Sequence, residues 1–174
     1  LSATERDTIC IDKGWMFHRG DISEVSQLKS AMQAQGEVVN LPHDFQISQD
    51  WVAPDASERP DNSDAGSNVR SRLSPRGFKE MGIGWYRYEL TPKEEWKGKR
   101  IVLDFQGIML VGDVYLNGQR IGGTDYGYLG MDADISKLLK YGQVNEIAVK
   151  ADTRNPNNSR WYTGAGLYRD VNLI

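Results

Sequence analysis

The chain has 174 residues and a formal net charge of −3 at neutral pH, with two histidines and one cysteine. This length is enough to bury a hydrophobic core without metals or disulfides, so we expect a single domain over residues 1–174. A slightly acidic chain without a basic stripe argues against nucleic acid, and its longest purely apolar run, residues 108–111, is far too short to span a membrane.

The N-terminal residues give few signals. The sequence opens at Leu1 with no charged-then-apolar leader, so we expect a processed or excised piece whose targeting signal is not visible. The one cysteine, Cys10, can form neither an internal disulfide nor a thiolate metal site. Because Cys10 lies in the strand-like run TICI, we expect it to be buried as a small apolar residue.

Helix is scarce in the pattern. Apolar residues recur at spacings near three and four in DISEVSQLKSAMQ, residues 21–33, which predicts a short helix with Asp21 as its N-cap. Residues 136–140 offer one further turn, ended by Gly142. Neither segment is long enough to form a helical layer.

Short strands account for most of the other signals. Alternating apolar and polar residues predict strands at 85–90, 100–105 and 144–151, and a last strand at 167–174. The Asn-Gly pair at 117–118, between two apolar runs, predicts a hairpin with a type I′ turn. Many strands joined by glycine turns predict an all-β fold of two antiparallel sheets packed face to face.

A long irregular segment, residues 46–82, interrupts the strands. Loops of this length within a domain are usually functional or disordered. A calcium-binding loop within it is excluded, because Arg72 occupies the position where a bidentate glutamate is needed. The sequence has no Walker loop and no Gly-x-Gly-x-x-Gly before a helix, and two histidines make no metal site, so we expect neither cofactor nor metal.

Two polar clusters remain. His43 beside Asp44, in NLPHDF, is compatible with half of a nucleophile-activating array, but no Gly-x-Ser-x-Gly elbow accompanies it, and a structural loop is the other interpretation. The second cluster is RWYTGAGLYRDV, residues 160–171, in which Gly164 and Gly166 supply turn angles that other residues avoid. A turn requires neither the arginine nor the two aromatic residues that open this stretch.

Five motifs occur in an order that resembles a known family. They are NLPHDF (40–45), GIGWYRYEL (82–90), DFQGIMLVGDVYLNGQRIGG (104–123), ADISKLLKYGQVNEIAV (133–149) and RWYTGAGLYRDVNL (160–173). Together they resemble the N-terminal domain of glycoside hydrolase family 2, the family of β-galactosidases, β-glucuronidases and β-mannosidases. The resemblance extends over residues 14–174, with 46–81 as its poorly matched part.

This resemblance implies a jelly-roll β-sandwich of the galactose-binding-domain-like type, with one or two short helices. It also implies an immunoglobulin-like domain and a catalytic TIM barrel beyond residue 174. Family enzymes are retaining and use two glutamates, which the family places in the barrel. We therefore expect no catalytic residue in this chain, no hydrolysis by it alone, and an ancillary role in a retaining exo-acting β-glycosidase, foremost a β-galactosidase.

The resemblance further implies that the PHD, GWYR and C-terminal motifs face the barrel mouth and complete the subsite for the nonreducing sugar. Polar side chains there would bind hydroxyl groups, and an aromatic ring would offer an apolar face to the sugar. The substrate-binding candidates are Asn157, Asn158, Arg160, Trp161, His43 and Asp44.

A second group is expected at the interface with the following domain, namely Trp85, Tyr86, Arg87 and Tyr162. For the aromatic rings, sugar contact is the alternative to interface packing. For Arg87, the alternative is an ion pair on the face of its strand.

Other functions stay open at this point. An autonomous carbohydrate-binding module is the alternative class, and β-glucuronidase or β-mannosidase are the alternative activities. The expected partners are a β-linked oligosaccharide or glycoside and the following domains of the same polypeptide, with a homo-oligomer of the full enzyme as a further possibility. A role in glycan degradation favours the periplasm or secretion, with a cytoplasmic location left open.

Overall fold

The computed structural model describes residues 6–49, 82–154 and 164–174 of the chain. Within these ranges the protein is mostly β-structure, with one α-helix and short 3₁₀ turns at Val25–Gln27 and Glu94–Trp96. The elements are β1 (Ile9–Cys10), β2 (Trp15–Arg19), α1 (Leu28–Gln35), β3 (Glu37–Val39), β4 (Ile83–Leu90), β5 (Val102–Phe105), β6 (Val111–Leu116), β7 (Gln119–Thr124), β8 (Met131–Asp134), β9 (Asn145–Asp152) and β10 (Val171–Leu173).

These strands form two sheets. One has four strands in the order β1-β10-β5-β8, and the other has six in the order β3-β2-β4-β9-β6-β7. Every pairing among the described strands is antiparallel. The predicted all-β sandwich with antiparallel strands is confirmed.

The main core lies between the sheets, where each strand contributes every second side chain. In β5, Leu103 and Phe105 are buried while Val102 and Asp104 are half-buried, which is the alternation predicted for this stretch. Trp15 of β2 is fully buried, and its indole N–H donates to the carbonyl of Ile11 at 2.6 Å. The alternation of inward and outward side chains along each strand therefore determines which residues form the core between the sheets.

A second, smaller cluster lies on the outer face of the six-stranded sheet. Helix α1 places Leu28 and Met32 against this face, where they pack with Trp85 and Ala148. Strand β4 contributes to both clusters, because Tyr86 points into the main core. The central strands of this sheet are thus covered on both faces.

One end of the sandwich is closed by the predicted β6–β7 hairpin, and we call residues 116–119 with 135–145 the hairpin end. Asn117 and Gly118 both have positive φ, 49° and 81°, as a type I′ turn requires. Asn145 is fully buried there: its Oδ1 accepts from the Lys140 N–H at 2.9 Å, and its Nδ2 donates to the Lys140 carbonyl at 2.7 Å. Asn117 Nδ2 donates to the same Oδ1 at 2.9 Å.

The helix predicted over residues 21–33 needs a correction at its start. Helix α1 begins at Leu28, and Asp21 does not cap it, because an irregular stretch over residues 21–24 and a 3₁₀ turn separate the two. Asp21 instead accepts a hydrogen bond from the Ile22 N–H and pairs with Lys150. The single turn predicted over residues 136–140 is confirmed, and Gly142 beyond it has a positive φ of 72°.

One burial prediction and one strand boundary were also wrong. Cys10 is exposed, because β1 is an edge strand and alternation turns the neighbouring Ile11 inward instead. Val144, which the pattern placed within a strand, lies just before β9 and is 54% exposed. In the part of the chain described, no helix is long and apolar enough to cross a membrane.

Candidate functional site

The loop carrying His43 and Asp44 is joined to the C-terminal motif by backbone hydrogen bonds. The His43 N–H donates to the Leu167 carbonyl at 2.8 Å, and the Phe45 N–H donates to the Ala165 carbonyl at 3.2 Å. Two of the motifs singled out in the sequence, more than a hundred residues apart, therefore form one surface.

Gly166 allows this close approach. Its φ is +104°, and a Cβ added there would overlap the Tyr86 hydroxyl and lie 3.0 Å from the His43 carbonyl oxygen. Gly164, with φ of +86°, sits where an added Cβ would lie 3.3 Å from Asp44 Oδ2. The two glycines thus supply unusual backbone angles, as predicted, and also the space in which the two motifs meet.

The His43 ring is held by its neighbours. Its Nδ1 lies 2.8 Å from the Tyr86 hydroxyl oxygen, and its ring centroid lies 4.8 Å from that of Phe17. Burial lowers the pKa of His43, against the opposing charges of Glu37 and Asp44. Burial also raises the pKa of Tyr86 far above its usual range, so its hydroxyl keeps its proton. The His43 imidazole is therefore neutral, and its Nδ1 shares a hydrogen bond with the protonated tyrosine hydroxyl.

Asp44 is set in a tight turn at the edge of this surface. Its Oδ1 accepts a hydrogen bond from the Gln46 N–H at 2.9 Å, and the next residue, Phe45, is 1% exposed and stacks on Phe17 with centroids 5.5 Å apart. The buried Phe45 ring anchors the loop to the core, while the Asp44 carboxylate stays half-buried beside Gly164. Carboxylate oxygens in such a position are suited to accepting hydrogen bonds from ligand hydroxyl groups.

Two further loops continue the same surface. Met109 and Gly166 exchange backbone hydrogen bonds of 2.9 and 3.0 Å. The Tyr168 hydroxyl donates to the Gly127 carbonyl at 2.6 Å, which attaches the β7–β8 connection. We call these four segments, residues 41–47, 107–111, 124–130 and 164–168, the loop end of the sandwich. It is opposite the hairpin end, because β6 begins at one and finishes at the other.

Known proteins share this architecture. A family model described as glycosyl hydrolase 2 galactose-binding domain-like matches residues 83–163. The chain belongs to this family. As a family 2 domain it is 32% identical over 171 residues to a β-galactosidase of Bacteroides ovatus, an alignment that covers 98% of this chain and 18% of the relative.

Two more comparisons show the spread within the family. A β-glucuronidase of Bacteroides fragilis is 29% identical over 177 residues, covering 98% of this family 2 domain and 21% of the relative. The crystal structure of a β-glycosidase from Bacteroides vulgatus matches with a TM-score of 0.78 and 33% identity, over 97% of this chain and 20% of that one. The chain spans roughly a fifth of the length of the relatives it matches.

The predicted site residues of this family 2 domain divide into two groups. His43 and Asp44 lie at the loop end, joined to the C-terminal motif. The other candidates, together with one interface candidate, lie outside the described residues: Asn157, Asn158, Arg160, Trp161 and Tyr162.

The remaining interface candidates occupy three different environments. Trp85 is 2% exposed beneath helix α1, and Tyr86 is fully buried in the main core, so packing within the domain accounts for both rings. Neither presents enough surface to form an interface by itself. Arg87 forms the strand-face ion pairs proposed as its alternative role, with Glu146 and, at 2.8 Å, with Glu89.

Sequence reasoning missed Met109, Gly127 and Tyr168, which connect the loops. The sequence did contain a signal for these contacts, namely the glycines in the loops at 107–111 and 124–130. A Cβ at Gly107 would overlap Tyr168, and one at Gly127 would overlap Met109. In the described ranges no group of three or more histidine, cysteine, aspartate or glutamate side chains is placed to hold a metal.

One carboxyl pair stands out on the outer face of the four-stranded sheet. Asp104 and Asp132 are cross-strand neighbours, and burial and a hydrogen bond with Asp132 raise the pKa of Asp104. Carboxyl groups in hydrogen-bond contact are closer than the separation of about 5 Å that retaining glycosidases use. This pair does not have the spacing of a catalytic pair.

Proposed function

We propose that this chain is the N-terminal domain of a retaining exo-acting β-glycosidase, and that it completes the sugar pocket of a catalytic barrel in the same polypeptide. The observation that carries the proposal is the joining of the His43–Asp44 loop to the Gly164–Leu167 segment through Gly166. Membership of family 2 supports it, because enzymes named β-galactosidase and β-glucuronidase contain a matching segment of about this size.

The proposed role is binding, without bond cleavage. Asp44 accepts hydrogen bonds from hydroxyl groups of the terminal sugar, assisted by Asn157, Asn158 and Arg160, while Trp161 stacks on the sugar ring. His43, held neutral by burial, positions the loop from behind. Binding energy at these remote hydroxyls orients the glycosidic bond for attack by the barrel's carboxylates.

A β-galactoside is the proposed substrate, with a β-glucuronide and then a β-mannoside as the next choices. The groups that distinguish sugar epimers belong largely to the proposed barrel. Arg87 and Tyr162 are proposed to lie toward the following domain.

The first experiment measures hydrolysis of chromogenic β-galactoside, β-glucuronide, β-mannoside and β-glucoside by the full-length polypeptide, with the 174-residue chain as control. Turnover of one glycoside by the long form alone is expected, and it identifies the sugar. Turnover by the short chain, or by neither, would contradict the proposal.

A matched pair of variants tests the site itself. Asp44→Asn and Asp134→Asn remove equivalent charges, because each carboxylate accepts from the backbone N–H two residues on, at 2.9 and 3.0 Å. We expect Asp44→Asn to lower kcat/KM at least tenfold, equivalent to about 1.4 kcal/mol, while Asp134→Asn, at the last residue of β8, has no effect on it. Equal effects of the two changes would show that the loss is structural.

A further inference from the structure

The β7–β8 connection at the loop end exposes three large side chains within four residues. Tyr126 is 57% exposed, Tyr128 48% and Leu129 61%, and the two tyrosine rings lie 5.5 Å apart at an interplanar angle of 55°. None of the three contributes to either hydrophobic cluster. We call Tyr126, Tyr128 and Leu129 the tyrosine tip.

Hydrogen bonds hold the backbone of the tyrosine tip. Thr124 Oγ1 accepts a hydrogen bond from the Tyr126 N–H at 3.2 Å and donates to the Tyr126 carbonyl at 2.9 Å. The Leu129 N–H donates to the Tyr126 carbonyl at 3.2 Å. The exposed rings are therefore carried by an ordered backbone. Because this backbone is ordered before a ligand binds, less conformational entropy is lost on binding.

The loop is also packed closely from below. An added Cβ at Gly127 would overlap Met109 Sδ, and one at Gly130 would lie 2.8 Å from the Phe105 carbonyl oxygen. The hydrogen bond from Tyr168 to the Gly127 carbonyl fixes the base of the loop. Glycine at these positions lets the connection lie flat on the sandwich while the tyrosine side chains project away from it.

The tip adjoins the candidate site through a short chain of contacts. Gly127 packs on Met109, Met109 pairs with Gly166, and the segment around Gly166 binds the His43 loop. The β7–β8 connection that carries the tyrosine rings and the loop that carries Asp44 therefore belong to one continuous surface.

We propose that the tyrosine tip binds neutral sugar units of a β-linked oligosaccharide beyond the terminal sugar held at Asp44. This inference rests on the proposed function. The C–H face of a pyranose ring stacks on aromatic rings, and tyrosine adds a hydroxyl for hydrogen bonding. The exposed carboxylate of Asp125, next to Tyr126 in the sequence, can accept hydrogen bonds from sugar hydroxyls, whereas it repels an anionic unit.

A sugar fits this surface better than a protein does. A stable protein interface uses about 20–30 residues on each side. The tip offers three apolar side chains, flanked by charged residues on both sides in the sequence. That area matches one or two sugar rings.

The test compares oligosaccharides of different length in the full-length polypeptide. The probes are a β-1,4-linked disaccharide and tetrasaccharide that carry the terminal sugar identified by the chromogenic panel and galactose in the other positions, together with the chromogenic monosaccharide. The variants are Tyr126→Ala/Tyr128→Ala, Tyr126→Phe/Tyr128→Phe and, at the hairpin end, Val144→Ala as a control for loss of exposed apolar surface.

We expect the double alanine variant to lower kcat/KM for the tetrasaccharide at least tenfold more than for the monosaccharide. The double phenylalanine variant should keep most of the tetrasaccharide activity, and Val144→Ala should keep all of it. An equal loss on all substrates, or no loss, would overturn the proposal. If the double alanine variant fails to fold, the single variants Tyr126→Ala and Tyr128→Ala are compared with the parent on the same substrates.

A direct measurement separates this inference from the proposed function. If the full-length polypeptide hydrolyses none of the glycosides, the proposed function fails, and saturation-transfer NMR with β-1,4-galactotetraose and the 174-residue chain then tests the tip alone. Transfer that is lost in the double alanine variant would support sugar binding, and absence of transfer in the parent would overturn it. A change in sedimentation of the variant without a change in sugar binding would show a protein contact and would also overturn it.

Discussion

The two ends of this sandwich are built in different ways. At the hairpin end, an Asn-Gly turn and the buried amide of Asn145 make hydrogen bonds among residues at most about thirty positions apart. At the loop end, His43 meets Leu167 and Met109 meets Gly166, and side-chain volume decides whether the segments fit. The comparison shows that a closed end gains its shape from local hydrogen bonding, while the candidate binding end depends on glycines that permit distant segments to touch.

The largest expected effect is on the free energy of unfolding when one glycine at each end of the sandwich is replaced by alanine. Gly166→Ala introduces both positive-φ strain and overlap with the Tyr86 hydroxyl, so we expect a loss of about 3 kcal/mol or more in unfolding free energy. Gly118→Ala has similar φ strain but nothing within 4 Å of the new Cβ, and should lose about 1 kcal/mol. Urea unfolding of both variants measures the difference.

A second change separates strain from overlap at Gly166. Tyr86→Phe removes the overlapping oxygen, so it should destabilise the Gly166→Ala background less than it destabilises the parent. Additive effects of the two substitutions would contradict the proposed contact.

The next effect concerns the hairpin end. Asn145→Ala leaves the Lys140 N–H and carbonyl without their amide partner in a buried site, so we expect a loss of about 2 kcal/mol. Asn172→Ala is the matched control, because the hydrogen bond of that mostly buried amide to Asp104 is long, at 3.5 Å. Equal losses in thermal or urea unfolding would show that amide burial, rather than the hydrogen bonds, stabilises this end.

A smaller effect is the pH dependence of the loop end. Because burial lowers the pKa of His43 in the folded state, the unfolded chain binds its proton first as the pH falls. The contribution to stability is present above about pH 6.5, the unfolded value, and is lost as the pH falls toward the lower folded value. His43→Gln should show a flatter dependence of unfolding free energy between pH 7 and 5 than the parent.

The parent and the His43→Gln variant share every other titrating group, including the Asp104–Asp132 pair. Their difference therefore isolates His43. Parallel curves for the two proteins would show that the imidazole does not titrate differently on folding.

The smallest effect belongs to the sandwich edge, outside both ends. Cys10 is exposed, and a hydrogen bond to the Asp12 carboxylate raises the pKa of its thiol. A thiolate-specific reagent should label it in the folded protein, faster in Asp12→Asn than in the parent at pH 8, while Cys10→Ser changes stability by less than about 0.5 kcal/mol. Labelling only after denaturation would show that the thiol is buried.

The sequence allowed the strands and the hairpin to be predicted because their signals are local. Alternation in residues 100–105 and the Asn-Gly pair at 117–118 each fix a conformation within a few residues. Gly164 and Gly166 were also recognised as turn residues. The sequence did not show why Gly166 has to lack a side chain, which is that the Tyr86 hydroxyl on another strand occupies the space.

The errors have physical causes as well. Alternation indicates that one face of a strand is buried but not which face, so Cys10 was assigned inward although Ile11 is the buried neighbour. Asp21 was assigned as a helix cap from spacing alone, whereas its ion pair with Lys150 on β9 is a tertiary contact that no local pattern contains. Contacts of this kind also join Met109 to Gly166, so the loop end could not be assembled from the sequence alone.

Helix α1 covers only part of the outer face of the six-stranded sheet, so this region is expected to unfold before the rest of the domain. Strands β4 and β9 have hydrophobic clusters on both faces, so their amide hydrogens should exchange with deuterium last of all. The segment 21–36, whose apolar contacts belong to the smaller cluster, is able to detach and return while the two sheets stay together. Unfolding then occurs in two stages. In the first, the segment 21–36 detaches and Trp85 becomes solvated while the two sheets remain packed together.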